Sequence, residues 1–122
     1  MKTKKIFLLL SLVLLLPLNL LANKTTVELI APEKAKAGDN VTVKINISHS
    51  GNSFLHYTEW VYLMINDEEV KRWEYSSSDR PEDSDFTLEY TFEIEKTVDV
   101  EVKGNCNLHG SDGVVKKTIM VE

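Results

Sequence analysis

The sequence predicts an all-β fold, an immunoglobulin-like antiparallel β-sandwich of about seven short strands. The first observation is strict alternation of apolar and polar residues, which is clearest from Phe86 to Ile94 and recurs at Val41–Ile47 and Val98–Val102. The second is that turn-forming residues separate these runs at regular intervals. The third is the lack of helical periodicity after residue 23. Each alternating run is therefore expected to form a strand with one buried face.

Four further strands are predicted from weaker patterns. Trp60–Ile65 is apolar more continuously, as expected for a strand covered on both faces. The other three segments are 27–30, 70–75 and 114–121. Turn-rich stretches lie between the strands, at 32–40, 48–53, 76–84 and 104–113.

The first 22 residues are typical of a secretory signal peptide. Three lysines precede an apolar run from Ile6 to Leu16, which Pro17 ends. The run is short for a membrane span and Ala22 offers a small residue for cleavage, so we expect a mature domain of residues 23–122 in the periplasm or the extracellular space. Leu20 stands where a second small residue is preferred, and an uncleaved membrane anchor is the alternative.

The charge balance excludes some partners. The chain has 14 basic and 19 acidic side chains, and its net charge of −5 becomes −8 once the three lysines of the leader are removed. A domain with this charge repels nucleic acid and anionic membrane surfaces. We therefore expect no nucleic-acid binding and no strong membrane binding after cleavage.

Cys106 is the one cysteine of the chain, so it cannot form an intramolecular disulfide. An unpaired thiol in an oxidising, exported compartment needs another explanation. One explanation is a buried, small apolar side chain. The other is a metal-bound thiolate, and the neighbours of Cys106 favour it.

The three histidines and the cysteine all lie in or beside two predicted loops. His49 and His56 follow the second strand, while Cys106 and His109 are three residues apart, a spacing that lets a thiolate and an imidazole bind one ion. Taken singly, each histidine is as well explained as an ordinary loop residue. Chance rarely collects every such ligand of a chain in this way. The set predicts a site for iron, copper or zinc, and a thiolate opposite an open position favours redox chemistry.

Three segments of the chain carry a family resemblance: Ala31–Gly38, His49–Trp60 and Cys106–Gly110. They resemble the iron domain of superoxide reductases, also called neelaredoxins or desulfoferrodoxins. The combination of Cys-Asn-x-His-Gly with His-Tyr-x-x-Trp is more specific for this family than either motif alone. The likeness extends over about residues 24–121.

The resemblance implies a mononuclear non-haem iron that alternates between Fe(II) and Fe(III). His49, His56 and His109 would be equatorial ligands, and Cys106 would be the axial thiolate. The family's reaction is the one-electron reduction of superoxide to hydrogen peroxide, after which an external donor such as a rubredoxin-like protein restores Fe(II). Family members often associate, so an oligomer is a further expectation.

The chain departs from the family before its first strand. Family members usually carry Glu-Lys-His there, and the histidine is a fourth equatorial ligand while the lysine attracts superoxide. Counting back from Ala31 places Lys24 at the lysine and Thr25 at the histidine. The resemblance therefore implies at most three imidazoles, completed by water or a carboxylate. Attraction of superoxide by Lys24 is a hypothesis, and a solvated lysine at a frayed end is its alternative.

Four neighbours of the predicted ligands have expected roles of their own. Trp60 and Tyr57 are expected to pack rather than to relay electrons. Glu59 and Asn107 are expected to support the site from outside the ligand set.

Two other functions fit the same residues. One is a noncatalytic immunoglobulin-like binding or carrier module, in which replacing His49 and Cys106 would change no metal-dependent property. The other is a copper electron-transfer domain, since blue-copper sandwiches also combine a cysteine–histidine loop with an upstream histidine. Those domains usually place a methionine soon after the second histidine, whereas Met120 lies eleven residues beyond His109. The copper alternative is therefore the weaker of the two.

Overall fold

Eight β-strands make up most of residues 24–122, the part of the chain that the computed structural model describes. They are β1 (Thr26–Ile30), β2 (Lys34–Ala35), β3 (Asn40–Ser48), β4 (Thr58–Ile65), β5 (Glu68–Glu74), β6 (Phe86–Glu93), β7 (Val98–Cys106) and β8 (Val114–Val121). No helix capable of crossing a membrane occurs in this part of the chain. The predicted signal peptide or anchor, residues 1–22, lies outside the described residues.

The strands form two sheets that pack face to face. One sheet has the order β1-β3-β6, and the other has the order β2-β8-β7-β4-β5. All neighbours are antiparallel except β2 and β8, which pair in parallel. The core between the sheets is made of aliphatic side chains and one phenylalanine: Leu29, Val41, Val43, Ile45, Ile47, Val61, Leu63, Phe86, Ile94, Val98, Val100, Val102 and Ile119. The predicted all-β sandwich is confirmed.

Alternation along β3 shows why these residues form strands. Every second side chain from Val41 to Ile47 is buried, and those between them are exposed or half-buried. On the inner face, Ile45 lies opposite Leu88 of β6. On the outer face, the hydroxyl oxygens of Thr42 and Thr91 are 2.7 Å apart. Burying one such aliphatic side chain contributes about 1.5–3 kcal/mol. The inner face therefore fixes the register of the pair.

Strand β7 is longer than the alternation predicted. It runs past Val102 to Cys106, because Gly104 and Asn105 pair with β4 instead of forming a turn. A Cβ atom at position 104 would lie 2.9 Å from Cγ2 of Thr25, so glycine is what allows the segment before β1 to approach here. Cys106 is consequently the last residue of a strand rather than a loop residue.

The expectation that β4 is covered on both faces was wrong. Val61 and Leu63 are fully buried, but Trp60 and Tyr62 lie half-buried on the outer face. Their rings stack with centroids 5.6 Å apart, and the guanidinium of Arg72 lies 5.1 Å from the ring centroid of Trp60. The outer apolar residues are therefore covered by one another and by a cation, not by a second layer.

Four strand ends meet at one end of the sandwich. Thr26 at the start of β1 pairs with Ser48 at the end of β3, and Thr58 at the start of β4 pairs with Cys106 at the end of β7. The loops 49–57 and 107–113 therefore lie side by side. We call this the ligand end, because it carries all four predicted ligands.

Candidate metal centre

His49 owes its position to the alternation of β3. It is the next inward position after Ile47, directly beyond the last residue of the strand, and its side chain is only 5% exposed. Its backbone N–H donates to Oδ1 of Asp85 at 3.2 Å. The sheet therefore aims this imidazole into the interior of the ligand end.

His56 is held by a tight turn. The backbone N–H of Ser53 donates to the carbonyl oxygen of His56 at 2.9 Å, and the N–H of His56 donates back to the carbonyl of Ser53 at 3.2 Å. Gly51 packs directly on the ring, and a Cβ atom at position 51 would overlap Nδ1 of His56. The ring can lie here because residue 51 is glycine.

Cys106 and His109 are held by a second tight turn. The N–H of Cys106 donates to the carbonyl of Gly110 at 2.8 Å, and the N–H of Gly110 donates back to Cys106 at 3.1 Å. Gly110 has a φ of +79°, a conformation that favours glycine. The backbone N–H groups of Leu108 and His109 donate to Sγ of Cys106 at 3.5 and 3.4 Å. Two such donors stabilise negative charge on the buried sulfur.

The four side chains lie beside one another at the ligand end. Nε2 of His56 lies 3.1 Å from Nε2 of His49 and 3.2 Å from Nδ1 of His109, which is itself 3.9 Å from Sγ of Cys106. The ligand atoms of His49, His56 and Cys106 all lie within 4.8 Å of one another. Adjacent rings meet nearly edge to face, with interplanar angles of 80° and 83°. The structure thus groups His49, His56 and Cys106, whereas His109 lies outside that group and contacts His56 and Cys106.

The donor set and its spacing fit a metal ion. With metal–nitrogen bonds of about 2.0–2.1 Å and a metal–sulfur bond of about 2.3 Å, nitrogens around one ion lie roughly 3.0–3.4 Å apart and sulfur lies roughly 3.1–3.6 Å from each. The two nitrogen separations fall in this range, and the sulfur separation of 3.9 Å is a few tenths longer. Hydrogen bonding explains the pattern less well, because Nε2 of His56 has either one proton or one lone pair to share between two ring nitrogens. A shared cation suits both contacts.

Asn107 joins the two ligand-bearing loops. Its Oδ1 accepts the backbone N–H of Tyr57 at 3.0 Å, and its Nδ2 donates to the carbonyl of Leu55 at 3.1 Å. Glu59 acts at a neighbouring point, since its Oε2 accepts Nδ2 of Asn105 at 3.2 Å. Asn107 therefore supports the loops, whereas Glu59 links β4 to the end of β7 beside Cys106.

Thr25 lies beneath the ligand end. It is buried, and its Oγ1 is 3.2 Å from Oγ1 of Thr58, the residue paired with Cys106. Thr58 and Val61 both face the interior although they are three positions apart, because a β-bulge between Thr58 and Trp60 shifts the alternation. Lys24 is half-buried immediately before Thr25. Its attraction of superoxide stays a prediction.

An apolar surface around the site was not predicted from the sequence. Phe54 and Leu55 are each 64% exposed, and Leu108 is 61% exposed. The signal was present in the sequence, as a Phe-Leu pair inside a polar, turn-rich loop and a leucine between Cys106 and His109.

The fold and the site together define an all-β sandwich protein that gathers histidine and cysteine donors between two loops at one end. A family model described as Desulfoferrodoxin matches residues 21–111. The chain belongs to the desulfoferrodoxin family, and the resemblance drawn from the sequence motifs is confirmed.

Solved structures agree with this assignment. The superoxide reductase (neelaredoxin) from Ignicoccus hospitalis is similar at 25% sequence identity and a TM-score of 0.67, over 80% of each chain. A variant of that protein gives 26% and 0.69 over 83% of each chain. The superoxide reductase (neelaredoxin) from Archaeoglobus fulgidus in the reduced form shares the fold, with a TM-score of 0.54 and 18% identity over 82% of this chain and 92% of that one. A comparison with curated protein sequences found no significant match.

Proposed function

We propose that this chain is an exported mononuclear non-haem iron protein that reduces superoxide to hydrogen peroxide. Family membership supports both the metal and the reaction class. The observation that carries the proposal is the position of His56, whose Nε2 lies 3.1 and 3.2 Å from the ring nitrogens of His49 and His109. Copper and zinc suit the same donors, and metal analysis distinguishes among them.

The candidate ligands, the solvent and an external donor would each have a separate role in the reaction. His49, His56 and His109 would hold the ion through nitrogen, and Cys106 would hold it through sulfur. Bound iron would supply one reversible electron between Fe(II) and Fe(III). Each superoxide takes up one electron and two protons to become hydrogen peroxide, and the protons come from solvent, which reaches the exposed His109. An external one-electron donor, such as a rubredoxin-like protein, resets the site.

We propose further that three imidazoles and the thiolate would hold the ion, with water or a carboxylate completing the ligand set. The chain has three histidines, and the ring nitrogens of His49 and His109 both contact that of His56. Thr25, which aligns with the fourth family histidine, hydrogen bonds with Thr58. Lys24 directly precedes Thr25 in the chain, so its positive charge would draw the superoxide anion toward the ligand end.

Export rests on the leader sequence. The basic start and the apolar run at Ile6–Leu16 favour secretion to the periplasm or the extracellular space. Fractionation of cells that produce the full chain tests this, and recovery of the protein from the cytoplasm alone would contradict it.

Metal analysis combined with an optical spectrum tests the site. The purified protein should hold one iron per chain and develop a thiolate-to-iron charge-transfer band on mild oxidation. The band should be absent from Cys106→Ser and retained in Asn46→Ser, a control on the outer face of β3. Superoxide consumption is then measured on the iron-loaded protein. A colourless, metal-free protein after anaerobic iron loading would contradict the proposal and favour the noncatalytic module.

A further inference from the structure

A cavity of about 510 Å³ lies at the end of the sandwich opposite the ligand end. Its lining comes from two segments, 65–70 in the hairpin of β4 and β5 and 90–98 from β6 to the start of β7. The volume falls within the range of about 300–1,000 Å³ that is typical of small-molecule sites. Strand β7 leads from Val98 beside the cavity to Cys106, a distance of roughly 27 Å for its nine residues. The cavity is therefore separate from the candidate metal centre.

Apolar and aromatic side chains form the floor of the cavity. Ile94 and Val98 belong to the core and are 1% and 6% exposed, whereas Tyr90 and Phe92 on the inner face of β6 are only half-buried. The reason is that β5 and β6 are the edge strands of their two sheets and do not pair with each other. The rings of Tyr90 and Phe92 lie 6.2 Å apart with an interplanar angle of 28°. An open cavity thus contains two aromatic rings, whose faces attract apolar groups and cations.

Backbone hydrogen bonds fix both walls of the cavity. On one wall, the N–H of Asn66 donates to the carbonyl of Asp99 at 2.9 Å, and Oδ1 of Asn66 accepts the N–H of Asp99 at 2.9 Å. On the other wall, the N–H of Ile94 donates to the carbonyl of Asp39 at 2.9 Å. The carbonyl of Ile94 in turn accepts the N–H of Gly38 at 2.7 Å. The cavity is therefore preformed, which lowers the entropic cost of binding a ligand.

The polar part of the lining is acidic. It includes Glu68, Glu93 and Glu95 but a single basic residue, Lys96. The carboxyl group of Glu95 hydrogen bonds with that of Glu93, which raises the pKa of Glu95 above its usual value. The ion pairs that form within residues 24–122 involve none of these three glutamates. The cavity therefore carries an excess of negative charge that attracts a cation.

We propose that this cavity binds a small organic cation, an ammonium group carried on an apolar body. The ammonium group lies between the glutamates and the rings of Tyr90 and Phe92, while the apolar body covers the aliphatic floor. A metal ion would leave that floor uncovered, and an anion would be repelled. The inference goes beyond the proposed function and depends on neither the metal nor the reaction.

A matched pair of probes tests the need for positive charge. 2-Phenylethylammonium and 2-phenylethanol have the same ring and nearly the same size, and they differ in the charge of one group. Each is titrated into the purified full chain, and the backbone amide resonances are followed by NMR. We expect shifts in segments 65–70 and 90–98 and none in β1, the opposite edge of the sheet that contains β6. The ammonium should bind at least about fivefold more tightly than the alcohol.

Carboxamide variants test the acidic lining. Glu93→Gln combined with Glu95→Gln should weaken binding of the ammonium by about two- to tenfold and leave binding of the alcohol unchanged. Glu89→Gln is the matched control, because Glu89 lies on the same strand but pairs with Lys44 at 3.7 Å on the outer face. This control should keep the affinity of the unmodified protein for both probes.

A leucine variant tests the aromatic floor. Phe92→Leu keeps an apolar side chain but removes a ring, so binding of the ammonium should weaken by about two- to fivefold. Its amide spectrum, recorded before any probe is added, shows whether the fold is retained. The glutamine variants test the proposal independently of this one.

Three results would overturn the proposal. Equal affinity for the two probes would show that the carboxylates contribute nothing to binding. Equal weakening by Glu89→Gln and by the double variant would show that the cation responds only to the net charge of the domain. No shift in segments 65–70 and 90–98 with either probe at about 10 mM would show that the cavity binds neither.

Discussion

Nδ2 of Asn107 donates a hydrogen bond to the carbonyl oxygen of Leu55 at 3.1 Å, which joins two loops that are 52 residues apart in sequence. The same carboxamide accepts the N–H of Tyr57 at 3.0 Å through its Oδ1. His56 lies between these two backbone contacts along the chain. Asn107 therefore fixes the distance between His56 and the turn that carries Cys106 and His109.

Replacing Asn107 with alanine should loosen the candidate metal centre. We expect metal affinity to fall by about 10- to 100-fold, as is typical when a residue that orients ligands is removed. The free energy of unfolding should fall by about 1–3 kcal/mol, because backbone groups of both loops lose their partners. Chelator competition measures the affinity, and urea unfolding measures the stability.

Asn46→Ala is the matched control. The carboxamide of Asn46 also makes two side-chain hydrogen bonds, to Glu28 and Thr87, but on the outer face of the three-stranded sheet. This variant should keep the affinity of the unmodified protein. Equal affinity in Asn107→Ala and in the unmodified protein would show that the loops hold their positions without the carboxamide.

Replacing Gly51 with alanine should displace the ring of His56. The added Cβ would overlap Nδ1 of His56, so the ring or its loop must shift. We expect metal affinity to fall at least about tenfold, since a displaced ligand contributes little. Gly38→Ala is the contrast, because Gly38 has a φ of +92° and nothing within 4 Å of the new Cβ. That variant should lose about 1–2 kcal/mol of stability and keep its metal affinity. Similar affinities in both variants would contradict this account.

Replacing Leu63 with alanine should destabilise the sandwich without altering the ligands. Leu63 is fully buried between the sheets, and the lost contacts and the resulting cavity should cost about 2–5 kcal/mol. Met120→Ala, at an exposed position, should cost less than about 0.5 kcal/mol. Urea unfolding of both variants measures the difference. Comparable losses in the free energy of unfolding would show that Leu63 does not belong to the core.

Tyr62 should make the stability of the fold depend on alkaline pH. Burial, and then the hydrogen bond to Glu101, raise the pKa of Tyr62 above its usual value of 10.0. Its contribution to stability is complete below about pH 10 and is lost as pH rises through the higher pKa of the folded protein. As pH rises above about 10, the free energy of unfolding should therefore fall less in Tyr62→Phe than in the unmodified protein. Urea midpoints from pH 8 to 11 provide the comparison, and parallel curves would argue against the link.

Long alternating strands could be predicted from the sequence, and short or irregular ones could not. Every second side chain is buried in β3 and buried or half-buried in β6, so their pattern is unambiguous. β2 has two residues, too few for any period to show. The end of β7 contains Gly104 and Asn105, which suggest a turn until the approach of Thr25 explains the glycine.

The candidate ligands could be singled out from the sequence, but their arrangement could not be. Histidine and cysteine are rare in this chain, and their grouping in two loops is visible by inspection. The contacts between those loops depend on strand order and register, which bring Thr58 opposite Cys106. A carboxamide that reaches from Asn107 to Leu55 leaves no local pattern in the sequence.

The position of His49 as a continuation of the inward face of β3 limits how the length of the chain can change. An extra residue in the loop between His49 and His56 alters a turn and leaves both flanking strands in register. One extra residue inside β3 would rotate everything after it by half a period and point the imidazole of His49 at solvent, although the strand itself would still form. Insertions are therefore tolerated in the loop after His49 but not in β3 before it. His49 thus marks the boundary between the part of the chain whose length is fixed by the register of the sheet and the part whose length can change.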